Sequence, residues 1–163
     1  MIIREIALKD LSAISDIWNH YILNTSYNYD SEVKNEDFFI SWKEGQAKLG
    51  YPVYVLEVEE KVIGYATFGQ FRSRNGYRFS LEHGVYLAPK VHGKGYGKAL
   101  MQTLIKRAKK DGYHSMTAGI DTTNQGSINF HLKFGFKEVG RFPEIGFKNG
   151  EWLECVFLQL ILK

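Results

Sequence analysis

"VHGKGYGKAL", residues 91–100, sets glycines at 93, 95 and 97 on alternate positions directly ahead of an apolar-periodic segment. Each glycine loses more conformational freedom on folding than alanine would. Ser, Asp or Asn would cap a helix start with less entropy lost. Three glycines here therefore imply a turn that side chains forbid, or something that approaches the backbone closely. Upstream, "FSLEHGVYLA" (79–88) alternates as a strand does and meets Pro89, which cannot donate to a ladder. Downstream, Leu100, Met101, Leu104, Ile105 and Ala108 share one helical face, with Lys106, Arg107, Lys109 and Lys110 outside it. Strand, glycine turn and helix start together make an anion site, because free N–H groups and the helix dipole face the same point. Two nucleotide motifs fail here. A Walker loop needs glycine where His92 stands and Ser or Thr where Ala99 stands, and the dinucleotide pattern puts its third glycine on Lys98 or Leu100.

The flanking sequence supplies the rest of an α/β fold. Residues 2–7 read as a strand, and Ile14, Ile17, Trp18, Tyr21 and Ile22 recur at helical spacing after Leu11. A second helix is expected over 35–48. "VYVLEV" (53–58) and "VIGYATFGQF" (62–71), joined by a polar turn, read as a hairpin. After the helix that follows the glycines come a strand at 114–121, a short helix at 125–134 and strands near 136–145 and 152–162. That order predicts a mixed sheet of about seven strands flanked by helices, in a single domain over 1–163.

Composition narrows the function classes. Hydrophobic residues make up 44% and charged residues 24%, ordinary for a globular chain. A formal charge of +3 is too mild to argue for nucleic acid and no aromatic–basic stripe accompanies it, while a small anionic ligand remains compatible. The one cysteine, Cys155, lies in the apolar run "CVFLQLIL" and reads as a buried structural thiol. The N-terminus carries Arg4, Glu5, Lys9 and Asp10, so it lacks the apolar run of a signal peptide, and no stretch is long enough to span a bilayer. A cytoplasmic protein with no membrane or nucleic-acid partner and no metal is expected.

The pattern that survives at the glycine turn, His92-Gly93-Lys94-Gly95-Tyr96-Gly97, resembles the Gln/Arg-x-x-Gly-x-Gly/Ala loop of the GCN5-related N-acetyltransferase (GNAT) family. His92 departs from that family's Gln or Arg. "NQGSINFHLKFGF" (124–136) resembles the family's later motif, an Asn followed by a short helix ending in Lys-x-Gly-Phe. The element order agrees over nearly the whole chain. "WNHYILNTSYNYD" (18–30), "FRSRNGYRFSLEHGVYL" (71–87) and His131 look like the phosphinothricin and methionine sulfoximine acetyltransferase branch.

The resemblance implies acetyl-coenzyme A as co-substrate, splayed central strands, and direct transfer to the α-amine of a small amino acid analogue. It places the cofactor against Val85, Tyr86, Leu87, His92, Gly93, Lys94, Gly95, Tyr96, Gly97, Lys98 and Asn124. Gly84 is read as a bulge that permits the splay. Glu82 is the candidate base for an amine that is protonated at neutral pH, and His131 the candidate acid for the departing thiolate. A backbone N–H at Leu87 or a neighbour would stabilise the oxyanion. Tyr27, Tyr29, Arg72, Ser73, Arg74, Tyr77, Glu82, His83 and Gly84 are expected at the acceptor, with the guanidinium groups suited to a carboxylate or phosphinate. Plain readings compete: Glu82 as a strand glutamate facing water, Asn124 as a helix cap, His131 as a core histidine, and "RSRNGYR" (72–78) as a solvated turn. Other acceptors (a protein N-terminus, a polyamine, an aminoglycoside) and a non-catalytic acetyl-CoA-binding module stay open, as does the homodimer common among relatives.

Overall fold

The computed structural model describes residues 1–91 and 93–163. Seven strands form one mixed sheet: β1 (Ile2–Glu5), β2 (Val53–Val58), β3 (Lys61–Gln70), β4 (Ser80–Leu87), β5 (Ser115–Asp121), β6 (Lys137–Lys148) and β7 (Glu151–Ile161), in the order β1-β2-β3-β4-β5-β7-β6. Helices α1 (Leu11–Asn24) and α2 (Glu36–Lys48) cover one face, and α3 (Tyr96–Lys110) and α4 (Gln125–Lys133) the other. The expected elements are all present. β6 runs further than its sequence suggests, to Lys148, because pairing with β7 resumes after the irregular stretch between Phe142 and Gly146.

The periodicities bury what they should. Leu11, Ile14 and Ile17 of α1 pack with Phe39 of α2 on Val53, Val55 and Tyr65, while Leu100, Met101, Leu104 and Ala108 of α3 pack on the other face. Burying each large aliphatic side chain contributes about 1.5–3 kcal/mol. α2 begins at an Asn35 cap whose side chain accepts from Phe38 N at 3.0 Å.

The feature that creates a site is in the ladder of β4. β4 pairs with β3 along its whole length, from Gln70↔Leu81 to Gly64↔Leu87. With β5, its parallel neighbour, it pairs only at Ser80, Leu81 and Glu82, and beyond Glu82 the two strands part. The β3–β4 hydrogen bonds fix which groups face the gap. Phe71 N donates to Ser80 O at one end and Ala88 N to Ile63 O at the other. By antiparallel alternation Gly84 and Tyr86 bond to β3, while the main-chain groups of Val85 and Leu87 point toward the gap.

No bulge produces this splay. The β3–β4 register runs unbroken through Thr67↔Gly84, so the expected bulge at Gly84 is a correction. Gly84 instead makes room for a side chain: a β-carbon there would lie 2.9 Å from the Tyr86 ring.

Candidate active site

The glycine turn follows β4 directly. Gly93 and Gly95 sit in the left-handed region, at φ +84° and +80°, which side chains rarely adopt. A β-carbon on either would meet no protein atom within 4 Å. So the turn needs the glycines, and the space beside them is open. Gly95 caps α3 without a side-chain bond, leaving the first N–H groups of that helix for an incoming acceptor. Gly97 differs: a β-carbon there would meet Phe130 and Leu87 at ordinary contact distances.

A cleft of about 730 Å³ runs from this turn into the splay. Its lining brings together His83, Gly84, Val85, Tyr86, Leu87, Gly93, Gly95, Tyr96, Gly97, Lys98, Asn124 and His131, all singled out by sequence, along with Tyr27. Lys94 is exposed and lines neither hollow described here. His92 lies outside the described residues. Lys90, Ser127 and Phe130 join the wall without having been singled out, although Ser127 and Phe130 lie within the 124–136 motif. Asn124 caps α4 after all, its Oδ1 accepting from Ser127 N at 3.1 Å, and it still lines the cleft. The cap fixes the side chain and leaves its amide N–H groups for a ligand, so capping and binding are compatible. Main-chain groups of Val85 and Leu87 offer the rest of a peptide-like edge, with the Leu87 carbonyl already accepting from the Tyr21 hydroxyl at 2.9 Å.

A second hollow of about 420 Å³ adjoins the first and shares Tyr27, Tyr86, Gly119 and Asp121 with it. Trp18, Asn28, Tyr29, Asp30, Glu82, Ile145, Cys155 and Phe157 complete it. Three carboxylates reach this pocket, and two are engaged. Asp121 accepts from the Tyr29 hydroxyl at 3.3 Å and from the Thr123 amide and hydroxyl, and Asp30 pairs with Lys34 at 3.3 Å. Glu82 makes no side-chain hydrogen bond among the described residues. Glu82 is exposed, as the plain reading of a strand glutamate facing water expects, yet it sits in the wall of the pocket. The partial desolvation there pushes its pKa above the ordinary carboxylate value, with Arg72 pulling the other way. An unengaged carboxylate with a raised pKa has the properties of a general base.

His83 and His131 form a pair, ring centres 5.1 Å apart. His131 Nδ1 lies 2.7 Å from the Ser127 carbonyl, so that nitrogen carries the proton and Nε2 holds the lone pair. Among the described residues neither His131 Nε2 nor either ring nitrogen of His83 has a partner, and all three are out of solvent's reach. Burial pushes His131 down and His83 to about 3, so both are neutral at neutral pH.

The arginine loop stands apart. Arg72, Ser73, Arg74 and Tyr77 line neither hollow, and the Arg72 guanidinium lies over the Phe71 ring, 5.2 Å from its centre. Phe71 in turn packs edge-on to Phe157 of the pocket wall. Cys155 lines the pocket, and burial pushes its thiol above the ordinary value, which keeps it protonated. Among the described residues no group of three or more His, Cys, Asp or Glu stands ready for a metal ion, and no helix is long and apolar enough to cross a membrane. Gly119 was missed by sequence reading, although a glycine inside the strand run "SMTAGID" (115–121) is itself a signal of close approach. Asp121 gave no such signal and reads as an ordinary strand-end residue, while Trp18 opens the 18–30 stretch without being singled out within it.

Residues 14–136 match the family model described as Acetyltransferase (GNAT) family. The chain is 41% identical over 162 residues to the L-methionine sulfoximine/L-methionine sulfone acetyltransferase of Salmonella typhimurium, covering 99% of this chain and 95% of that protein. Among solved structures, the acetyltransferase yncA of Salmonella typhimurium with its cofactor acetyl-CoA superposes with a TM-score of 0.96 at 40% identity, covering 100% of this chain and 94% of that one. The phosphinothricin acetyltransferase of Sinorhizobium meliloti in complex with acetyl-CoA gives 0.94 at 35% identity, over 99% and 88%.

Proposed function

This chain belongs to the acetyltransferase (GNAT) family, and on that premise we propose that it transfers acetyl from acetyl-coenzyme A to the α-amine of a small amino acid analogue. Methionine sulfone, methionine sulfoximine and phosphinothricin are the acceptor type, supported by the relatives' activities. The observation that carries the reading is the meeting of two hollows across one wall, with Glu82 the unengaged carboxylate on the smaller side. A volume of about 420 Å³ suits an amino acid better than a folded protein's terminus.

Acetyl-CoA supplies the activated acyl group as a thioester. The open turn at Gly93 and Gly95 and the start of α3 take its pyrophosphate, and the free edge of β4 with the Asn124 amide takes the pantetheine arm. Glu82, directly or through water, removes one proton from the acceptor ammonium. The amine nitrogen then forms the C–N bond as the C–S bond breaks. The Leu87 N–H faces the gap and stabilises the negative charge that develops on the acetyl oxygen. The second amine proton ends on the thiolate. His131 serves as its relay: the neutral ring has no proton of its own to give at Nε2, and that atom, closed to solvent in this structure, must turn toward the cleft to take the proton and return it to sulfur. Arg72 lines neither hollow, so it reaches the acceptor's carboxylate only by leaving its place over Phe71, although it is near enough to lower the pKa of Glu82.

The whole chain acts as one domain in the cytoplasm. Two copies pair along β6, the sheet edge, where Val139, Phe142, Ile145 and Phe147 are each about half exposed. The test of function is thiol release from acetyl-CoA with methionine sulfone, methionine sulfoximine, phosphinothricin, a polyamine and a peptide as acceptors. Turnover confined to the first three supports the reading; preference for the peptide or polyamine overturns the acceptor class. Size-exclusion with light scattering decides the dimer.

A further inference from the structure

Residues 25–35, between α1 and α2, form neither helix nor strand, yet Tyr27, Asn28, Tyr29 and Asp30 build one wall of the smaller pocket. Such a segment keeps its place only where packed elements hold it. α1 holds its two ends, the Thr25 hydroxyl donating to Tyr21 O and Asn19 bonding the Lys34 main chain, and three further contacts from β5, β6 and β7 hold residues 25–30 between them. Lys148, the last residue of β6, is 4% exposed, and its ammonium donates to the carbonyls of Thr25 at 2.9 Å and Asn28 at 2.6 Å. The Tyr29 ring lies against the backbone of Gly146, where a β-carbon would come within 2.7 Å of it. The Tyr29 hydroxyl donates to Asp121 and to the Glu154 carbonyl, at 3.3 and 3.2 Å. Burying an ammonium is unfavourable unless its protons are matched. Here the matching acceptors are the main chain of the pocket wall itself.

We infer that Lys148 is a positioning residue for the acceptor: it straps residues 25–30 onto the β6–β7 hairpin and so sets the wall against which the acceptor binds. The inference rests on the acceptor reading of the smaller pocket. Lys148 lines neither hollow, so its effect passes through the strap. Tyr29 over Gly146 gives the strap a second anchor, independent of charge.

The test compares wild type with Lys148→Met, which keeps length and removes the donors, and with Gly146→Ala, which pushes on Tyr29. Methionine sulfone kinetics, acetyl-CoA affinity by calorimetry and amide hydrogen exchange are measured on each. Lys148→Met should raise the acceptor KM by about tenfold or more, since two charge-assisted bonds hold the wall. Its acetyl-CoA affinity should stay within about twofold, because the phosphate end is built elsewhere. Exchange should quicken at 25–30 while β5 stays protected. Should Lys148→Met not fold, a raised acceptor KM in Gly146→Ala supports the strap, and an unchanged one overturns it. A folded Lys148→Met with wild-type KM, or with acetyl-CoA affinity and β5 protection lost in parallel, overturns the role. Absence of turnover by wild type on all three analogues defeats the function reading instead, and exchange at 25–30 then decides the strap.

Discussion

Glu82 and Gly119 face each other across the mouth of the splay, so closely that a β-carbon on Gly119 would lie 3.3 Å from Glu82 Oε1. The same atom would also lie 3.3 Å from Phe157 and 3.5 Å from Cys155 Sγ. Gly119→Ala must therefore shift the carboxylate by a few tenths of an ångström. Small misplacements of a catalytic group are expensive, and kcat should fall by about tenfold or more. Acetyl-CoA affinity, measured by calorimetry, should change little. An unaltered kcat would show that Glu82 does not need its present position.

Glu82→Gln keeps the shape but cannot take a proton, so kcat should drop by roughly 10²-fold or more with cofactor affinity near wild type. A base works deprotonated, and burial raises this carboxyl above its ordinary value. The acidic limb of kcat/KM should therefore lie at higher pH than for a carboxylate at its ordinary value, with activity rising as pH increases through it. Glu82→Gln should abolish that limb. Full turnover in the variant removes Glu82 from the mechanism.

Gly95→Val places a branched side chain on a left-handed residue beside the open start of α3. Acetyl-CoA affinity should weaken by at least about tenfold through lost N–H contacts and blocked approach. Calorimetry on the folded variant measures this. Retained affinity would reduce the turn to a purely structural role.

His83 links stability to pH. Its ordinary value of 6.5 falls to about 3 in the fold because its ring is buried. Below about pH 6.5 the unfolded chain binds a proton that the folded chain refuses, so stability falls as pH drops from there toward 3. His131 is shifted the same way and adds to the effect. Urea unfolding at pH 7 and pH 5 should show the loss, and His83→Gln should reduce the difference. A variant with the same pH dependence as wild type would assign the loss to other groups.

Much of this was legible along the chain. The alternation of β4, the stripe of α3 and the glycines between them are encoded within about thirty residues, because strand period, helix period and left-handed turns are local properties. Most of the motif residues from Val85 to His131 line one cleft, but Lys94 does not, and His83 and Gly84, expected at the acceptor, line the larger cleft instead of the smaller pocket. The arginines were not brought to a wall, since a loop's sequence states its charge but not where packing against Phe71 will aim it.

By itself the sequence determined the order of elements, the anion-accepting turn and the presence of a strand glutamate ahead of it. Tertiary structure alone decided that β5 leaves β4 after Glu82, since a ladder's end depends on the partner strand's course. It alone engaged Asp121 with Tyr29 and Thr123 and Asp30 with Lys34, leaving Glu82 without a side-chain hydrogen bond among the described residues. It also brought Lys148 to carbonyls about 120 residues away in sequence. The reason is the range of the forces: backbone preferences act over a few residues, whereas partnering and desolvation of a buried charge depend on the whole fold.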